Sequence, residues 1–364
     1  MKIGLVLFML IPLAGCAYVG WHVWRILPLS VIWKWMVVLV LLLCFCQLFL
    51  NFVIGLDNLP LPVARILYAI GTSSIIVLLY LFMLFAILDV GHLFRLIPES
   101  FLHNSMVGSL TVSAIMLTVF VYGNIQYYNK VRVHINIDAG KVEKPVRLIM
   151  MSDLHLGYHN TRHDLATWVD MLNKENADAI LIAGDIVDIS VEPLLKENMA
   201  AEFKRLNAPV YACLGNHDYY AGEPRSEQFY RESGVKLLRD SSAVLNGEIV
   251  VIGRDDRTNS RRSDVGQLVK NFTGKNKNAF TILLDHQPYH LEEAELAGID
   301  FQFSGHTHYG QVWPISWVED LMYECAFGEH RRGQTRYYVS SGIGIWGGKF
   351  RIGTRSEYIV ATIK

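Results

Sequence analysis

The sequence predicts an α-helical membrane domain of four transmembrane helices, followed by an α/β domain built on two mixed β-sheets flanked by helices. Three observations predict it. The 364 residues carry a net charge of −1, 52% hydrophobic residues and a mean hydropathy of +0.26, too apolar for one soluble domain of ordinary make-up. The charge is unevenly spread: residues 1–128 hold eight charged side chains (Lys2, Arg25, Lys34, Asp57, Arg65, Asp89, Arg95, Glu99), and the remainder holds 28 Lys/Arg and 31 Asp/Glu. In that remainder, short apolar runs alternate with amphipathic stretches. Disorder, a collagen repeat and a disulfide-stapled miniprotein are excluded by the apolar content, the aperiodic glycines and five cysteines in so long a chain. A net charge near zero gives no footprint for general nucleic-acid binding.

Roughly 20 apolar residues cross a bilayer core as helix, and four runs of that length lie near 3–24, 31–56, 64–90 and 105–126. Pro28, the segment Asp57-Asn58-Leu59-Pro60, and Pro98-Glu99-Ser100 punctuate them. Trp21, Trp24, Trp33 and Trp35 gather around the first turn and Tyr127 and Tyr128 close the last run, where amphipathic rings favour the headgroup layer. Lys2, Arg65, Lys130, Arg132, Lys141 and Lys144 fall on one side of these spans against Arg25, Lys34 and Arg95 on the other, a bias that predicts a cytoplasmic C-terminal domain on a multi-pass inner-membrane protein. Leu13-Ala14-Gly15-Cys16 resembles a bacterial lipobox, although Ala17-Tyr18-Val19-Gly20 is apolar where a polar tether is usual. Asp89 and His92, at the end of the third run, read as a water-facing cap. Cys16, Cys44 and Cys46 lie in the spans; Cys213 and Cys325 form no zinc-type spacing, a disulfide between them is one reading, and core packing of Cys213 in an apolar strand is the favoured one.

The chain divides into a helical membrane domain at 1–128, a linker or lead-in strand at 129–144 and an α/β domain at 145–364. Strands are expected at 146–151, 179–183, 209–214, 249–252, 279–284, 301–303, 336–339 and 358–363, the last two as edge or antiparallel strands. Helices are expected from Arg162 to Asn173, with Leu165, Trp168, Val169 and Leu172 on one face, and from Glu192 to Leu206.

Five of these strands end in loops rich in metal-type ligands: Asp153-Leu154-His155, Gly184-Asp185-Ile186-Val187-Asp188, Gly215-Asn216-His217-Asp218, Asp285-His286 and Gly305-His306-Thr307-His308. Each motif alone is weak, since an Asp-x-His is a common accident and Gly-Asn is ordinary turn chemistry. Their ordered conjunction is not: half of the ten histidines after residue 128 fall in these loops. In open α/β sheets, ligands bind at the carboxyl ends of the strands.

The order DLH, GDIVD, GNHD, DHQP, GHTH over about residues 145–364 resembles the calcineurin-like metallophosphoesterases. Tyr309-Gly310-Gln311 and Ser340-Ser341-Gly342-Ile343-Gly344-Ile345-Trp346 are similar to its bacterial membrane-associated branch, with Tyr309 where Gly is frequent. The resemblance implies a metallophosphoesterase domain holding two divalent ions (Mn, Fe or Zn), one on Asp153, His155, Asp185 and His308, the other on Asp185, Asn216, His286 and His306. It implies a catalytic, non-ligand role for His217. Carboxylate and imidazole donors without thiolate suit such metals, and a glycine-led loop at Gly305 is needed for His306 and His308, two apart, to reach them together.

Two such ions would clamp a phosphoryl oxygen and make hydroxide available near neutral pH, and the resemblance implies that His217 would protonate the leaving oxygen or steady charge on the phosphoryl group. Asp218 reads as orienting the His217 loop or capping the next segment, and Asp188 as orienting a ligand histidine or capping a helix. Arg254, Tyr219 and His159 are candidate substrate contacts. The expected activity is a membrane-anchored phosphohydrolase acting on a phosphoester or pyrophosphate, on a lipid-linked substrate in particular. Its partners are the bilayer and a phosphorylated lipid or small molecule, with no specific nucleic acid. A soluble nucleotide or cyclic-nucleotide phosphodiesterase, a nuclease and a metal-stabilised membrane sensor are the alternatives.

Overall fold

A computed structural model describes residues 2–140, 142–273 and 279–364; the side chains of 2–11, 52, 54 and 273 lie outside that description, as does Lys141, one of the charges used for orientation. Two compact units divide at Asn124 and Ile125.

The first unit contains α1 (Lys2–Ile26), α2 (Val31–Ile54), α3 (Leu61–Leu93), the short α4 (Glu99–Leu102) and most of α5 (Met106–Tyr128). Among the described residues, three helical stretches are long and apolar enough to cross a membrane: Val31–Asn51, Leu61–Leu93 and Met106–Tyr128. The first expected run falls on α1, part of whose side chains are outside the description, so the structure supports three spans of the four expected. Val19, Val23 and Ile26 of α1 pack with Leu81 and Phe85 of α3 and Val112 of α5. Asp89 does more than face water as a cap: it accepts a hydrogen bond from Tyr18 at 2.5 Å and lies 3.0 Å from His22 Nε2, tying α3 to α1.

The second unit begins with the end of α5 and continues as β1 (Lys130–Ile137), β2 (Val146–Met151), α6 (Arg162–Asn173), β3 (Ala179–Ala183), α7 (Glu192–Lys196), α8 (Met199–Phe203), β4 (Val210–Cys213), α9 (Asn216–Tyr220), α10 (Glu223–Glu232), β5 (Lys236–Leu237), β6 (Ser241–Leu245), β7 (Ile249–Gly253), α11 (Val265–Thr273), β8 (Phe280–Leu284), α12 (Leu291–Ala297), β9 (Phe301–Ser304), α13 (Ile315–Met322), β10 (Gly328–Arg332), β11 (Thr335–Val339) and β12 (Ser356–Ile363). Two six-stranded mixed sheets result, ordered β1-β12-β2-β3-β4-β5 and β10-β11-β9-β8-β7-β6.

The period-2 alternation of each strand sorts its side chains between layers. Leu148 and Met150 of β2 enter a core shared with Ile282, Leu284 and Phe303 of the second sheet, whereas Ile149 and Met151 pack with Leu165, Trp168 and Val169 of α6. Leu283 and Val250 turn outward against Leu268 of α11 and Leu291 of α12. The two sheets are therefore packed face to face with helices outside. Cys213 lies in the inter-sheet core, Cys325 in the layer outside the second sheet, and both are free thiols.

One reading changes and two are narrowed. The helix expected from Glu192 to Leu206 is two short helices, α7 and α8, broken where Asn198 takes a left-handed backbone (φ 52°), a conformation Asn tolerates. The strands expected as edge or antiparallel are antiparallel and not edges: β12 pairs antiparallel with β2 and parallel with β1, and its residues are almost all buried. Likewise β11 pairs antiparallel with β10 and lies between β10 and β9. The lead-in strand is β1, whose eight residues pair with β12 from Lys130↔Ser356 to Ile137↔Ile363.

Candidate metal centre

Parallel pairing of β2, β3 and β4, and of β7, β8, β9 and β11, points the carboxyl ends within each sheet one way, and the approach of Asp185 to His286 and of Asp153 to His308 brings the two sets of ends to one edge. The five ligand loops leave from that edge. Several bend through left-handed backbone at the ligands themselves: Asp153 (φ 57°), His155 (φ 44°), Asp185 (φ 54°), His306 (φ 72°) and His308 (φ 50°). Such positive φ values on non-glycine residues cost energy and cluster at functional sites. They correct the expectation for Gly305: the histidines' own backbone turns them, and Gly305 is required because a Cβ there would strike the Asp153 carboxylate and Ser152. Gly215 has the same duty toward Asp185.

Three groups of donors converge, each with its atoms within 4.8 Å of one another: Asp153, His155 and His308; Asp153, Asp185 and His286; and His155, Asp185 and His217. Asp185 Oδ2 is 3.0 Å from His286 Nε2 and 3.6 Å from His155 Nε2, the position of a shared ligand. His155 Nε2 and His308 Nε2 face each other at 3.0 Å, and Asp153 Oδ1 is 3.9 and 3.5 Å from them. Asn216 Oδ1 is 3.2 Å from His286 Nε2, while His286 Nδ1 meets the Ala183 carbonyl at 2.7 Å. His306 stands at 5.3 Å, ring centre to ring centre, from His286, and its backbone N–H donates to Asp153. Its imidazole belongs to none of the three donor groups found among the described residues.

The residues fit divalent cations. Burial first, and then the neighbouring His155, hold His308 well below the usual imidazole range, so its ring is a neutral lone-pair donor. Burial and His286 push His306 down to about 3 in the same way. Burial works against ionisation of Asp185, but His286 and His217 outweigh it and hold the carboxyl well below its ordinary value. Neutral His306 and His308 beside buried carboxylates suit imidazole-binding divalent metals, whereas for His286 burial is outweighed by Asp185, which holds it well above its usual range with a proton that a cation in its place would displace.

Around the donors, other side chains fix the loops. Asp188 Oδ1 lies 3.3 Å from both His155 Nδ1 and His217 Nδ1, so it orients two histidines rather than capping α7, where Val191 holds the cap position. Asp218 accepts from the backbone N–H groups of Asp185, Gly215 and Val187 and from the Tyr230 hydroxyl, which joins the second and third loops; burial, with Asp185 beside it, pushes Asp218 up to about 6. Burial lowers the affinity of His217 for a proton, but Asp185 and Asp188 outweigh it and raise its pKa to about 9.

The three candidate substrate contacts do not project freely into the site. Arg254 is buried, pairs with Asp285 at 3.1 Å and Glu293 at 2.7 Å, and donates to the Ser263 carbonyl, so it braces the strand end that carries His286. The Tyr219 hydroxyl is held by Asp255 at 2.7 Å and Arg239 at 3.0 Å, and His159 Nδ1 meets the Gly347 carbonyl. Two residues that no motif marks have central places. Asn160, fully buried, donates from Nδ2 to the carbonyls of Leu154, His155 and Ile345. Arg351, also fully buried, donates to the carbonyls of His308, Ser341 and Gly344. Each joins nearby carbonyls to one distant in sequence, Ile345 for Asn160 and His308 for Arg351, so their residue type alone carried no signal.

A two-sheet α/β fold whose strand ends gather imidazoles and carboxylates defines a metal-dependent phosphoesterase domain. Residues 146–310 match the family model for calcineurin-like phosphoesterases. An uncharacterised metallophosphoesterase of Aquifex aeolicus is 30% identical over 63% of this chain and 89% of its own length. A zebrafish transmembrane protein with a metallophosphoesterase domain is 31% identical over 70% of this chain; this chain spans 62% of that relative's length. Among solved structures, the 5'-nucleotidase precursor of Thermus thermophilus matches 56% of this chain and 49% of its own, with 15% identity and a TM-score of 0.39. The chain belongs to the calcineurin-like phosphoesterase family.

Proposed function

We propose that this chain is a membrane-anchored dinuclear-metal phosphohydrolase that cleaves a phosphoester or pyrophosphate bond in a lipid-linked phosphate, with four spans and a cytoplasmic catalytic unit. The observation that carries the reading is the convergence of Asp153, His155, Asp185, His286 and His308 around the shared Asp185 carboxylate. Asp153, His155, Asp185 and His308 would hold one ion, and Asp185, Asn216, His286 and His306 the second. When bound, such a pair supplies Lewis acidity and a hydroxide near neutral pH.

The chain's own residues do the rest. Asp188 holds Nδ1 of His217, which leaves Nε2 as the nitrogen able to give a proton to the leaving oxygen. Trp346 and Tyr220, with ring centres 6.5 and 5.2 Å from that of His217, wall the site beside it with apolar surface. A lipid-linked substrate is supported by the apolar helices, because a site held at a bilayer meets amphiphilic phosphates at high local concentration. The test is turnover by the Mn²⁺-loaded full chain on phosphomonoesters, bis-p-nitrophenyl phosphate and lipid pyrophosphates. Cleavage of the soluble diester alone would remove the lipid assignment, and no cleavage of any would remove the activity. A reporter fused after Lys364 that functions only in the periplasm would overturn the sidedness.

A further inference from the structure

The register of the first sheet shows where the chain enters the catalytic unit. Lys130, the first residue of β1, pairs with Ser356, the first residue of β12, and β12 runs antiparallel to β2, with Ile363 opposite Val146 and Ile359 opposite Met150. The start of β1 is therefore at the same edge as the carboxyl end of β2, the edge that carries Asp153 and the metal centre. Only Asn129 separates Lys130 from Tyr128, the last residue of the apolar helix α5. The chain thus enters the catalytic unit at its ligand edge, one residue after α5 ends.

On that same edge, five residues beyond His308, the chain turns at Trp313 into α13. Residues spaced four apart share a helix face, and here Trp317 with Leu321, and Val318 with Met322, make an exposed apolar face: Trp317 is 61% and Leu321 89% exposed. Trp313, also exposed, packs edge-on against Trp317 with ring centres 5.2 Å apart and extends the patch. The buried side of the helix is Ser316, followed by Tyr323 just past its end. Contiguous exposed apolar surface marks an interaction site, and Trp beside Leu and Met on an amphipathic helix is the composition that settles at the headgroup boundary. The helix carries Glu319 and Asp320 and no Lys or Arg, so apolar area and not charge attraction would hold it there.

We propose that α13 and Trp313 dock into the interfacial layer of the bilayer in which α5 is embedded, so that the mouth of the metal centre is held against the lipid headgroups. The proposal rests on the reading of the chain as membrane-anchored, and it adds a second, peripheral contact that would let a headgroup phosphate reach the metal centre without leaving the membrane.

The experiment uses the full chain with Cys16→Ala, Cys44→Ala and Cys46→Ala, reconstituted in phosphatidylethanolamine/phosphatidylglycerol vesicles, with an environment-sensitive fluorophore at Leu321→Cys. Leu296→Cys is the control. That residue is 84% exposed and equally apolar, but it sits at the end of α12 that leads into β9, beside Glu295, whose carboxylate pairs at 2.9 Å with Arg332 near the opposite sheet edge. Lipids with shallow doxyl labels should quench most of the fluorescence at 321 and little at 296, and high salt should leave the difference unchanged. Equal quenching at the two positions overturns the proposal. So does an unquenched probe at 321 that becomes shielded as protein concentration rises, which would assign the face to a second copy of the chain. Leu321→Glu should keep turnover of soluble bis-p-nitrophenyl phosphate and lower kcat/KM on a vesicle-embedded substrate. Quenching at 321 without any lipid-phosphate turnover would retain the docking and reject the substrate class.

Discussion

The Tyr127 hydroxyl donates to Asn160 Oδ1 at 2.6 Å, with both residues fully buried. Tyr127 is the penultimate residue of the last apolar helix, and Asn160 holds the carbonyls of Leu154 and His155 on one side of the metal centre and of Ile345 on the other. One hydrogen bond therefore links the end of the helix to the amide that spaces two site loops. Tyr127→Phe removes only the donor and leaves a buried acceptor unsatisfied, which costs about 1–3 kcal/mol. A lower melting temperature and weaker Mn²⁺ binding in detergent are expected, whereas Tyr128→Phe, at an exposed ring, should be nearly silent. Equal behaviour of the two variants would deny the link.

Arg351 has a comparable place on the opposite side. Its guanidinium is buried with no carboxylate in ion-pair contact among the described residues and donates to the carbonyls of His308, Ser341 and Gly344; burial lowers its pKa to about 10. Arg351→Met should destabilise by about 2–5 kcal/mol, since several buried carbonyls lose their donors together. Arg351→Lys should recover part of the stability but not the metal occupancy, because one ammonium cannot reproduce a planar fork. Calorimetry and elemental analysis separate the two effects.

His217 and Asp185 should fail differently. Asp185→Ala removes the carboxylate that faces both His155 and His286 and should empty the centre of metal. His217→Ala should retain metal and lose about 10²–10⁴ in kcat, the range of a positioned general acid. Metal loss in the His217 variant would move that residue into the ligand set, a possibility its grouping with His155 and Asp185 makes concrete.

A pH effect on stability is expected from Asp164. Burial raises its carboxyl, but Lys349, 3.0 Å away, and the two hydrogen bonds from Thr161 outweigh burial and hold the pKa below its ordinary value. A depressed folded pKa adds stability that is complete above the unfolded value of about 3.9 and is lost as pH falls through the lower folded value. The stability gap between the native chain and Asp164→Asn should therefore be constant from neutral pH to about 5 and close in more acid solution. A gap that widens on acidification would reverse the sign and reject the assignment.

The legibility of the chain followed the range of the interactions. Short motifs and apolar periods are local, so the α/β succession, α6 at Arg162–Asn173 and the loops bearing Asp153, His155, Asp185, Asn216, His217, His286, His306 and His308 could be read without coordinates. Arg254 shows the limit of such reading: a guanidinium after a strand is compatible with substrate or with a carboxylate, and packing sets it against Asp285. Residue order alone thus determined the class of chemistry and the apolar helices, because both follow from side-chain type at fixed spacing. Tertiary structure alone decided that β12 lies inside a sheet, that Asn160 and Arg351 clamp the site loops, and that Trp317 and Leu321 are left exposed on the ligand edge. Those outcomes depend on which buried carbonyls and apolar faces meet across long stretches of chain, and solvent exclusion sets that only when the whole unit has folded.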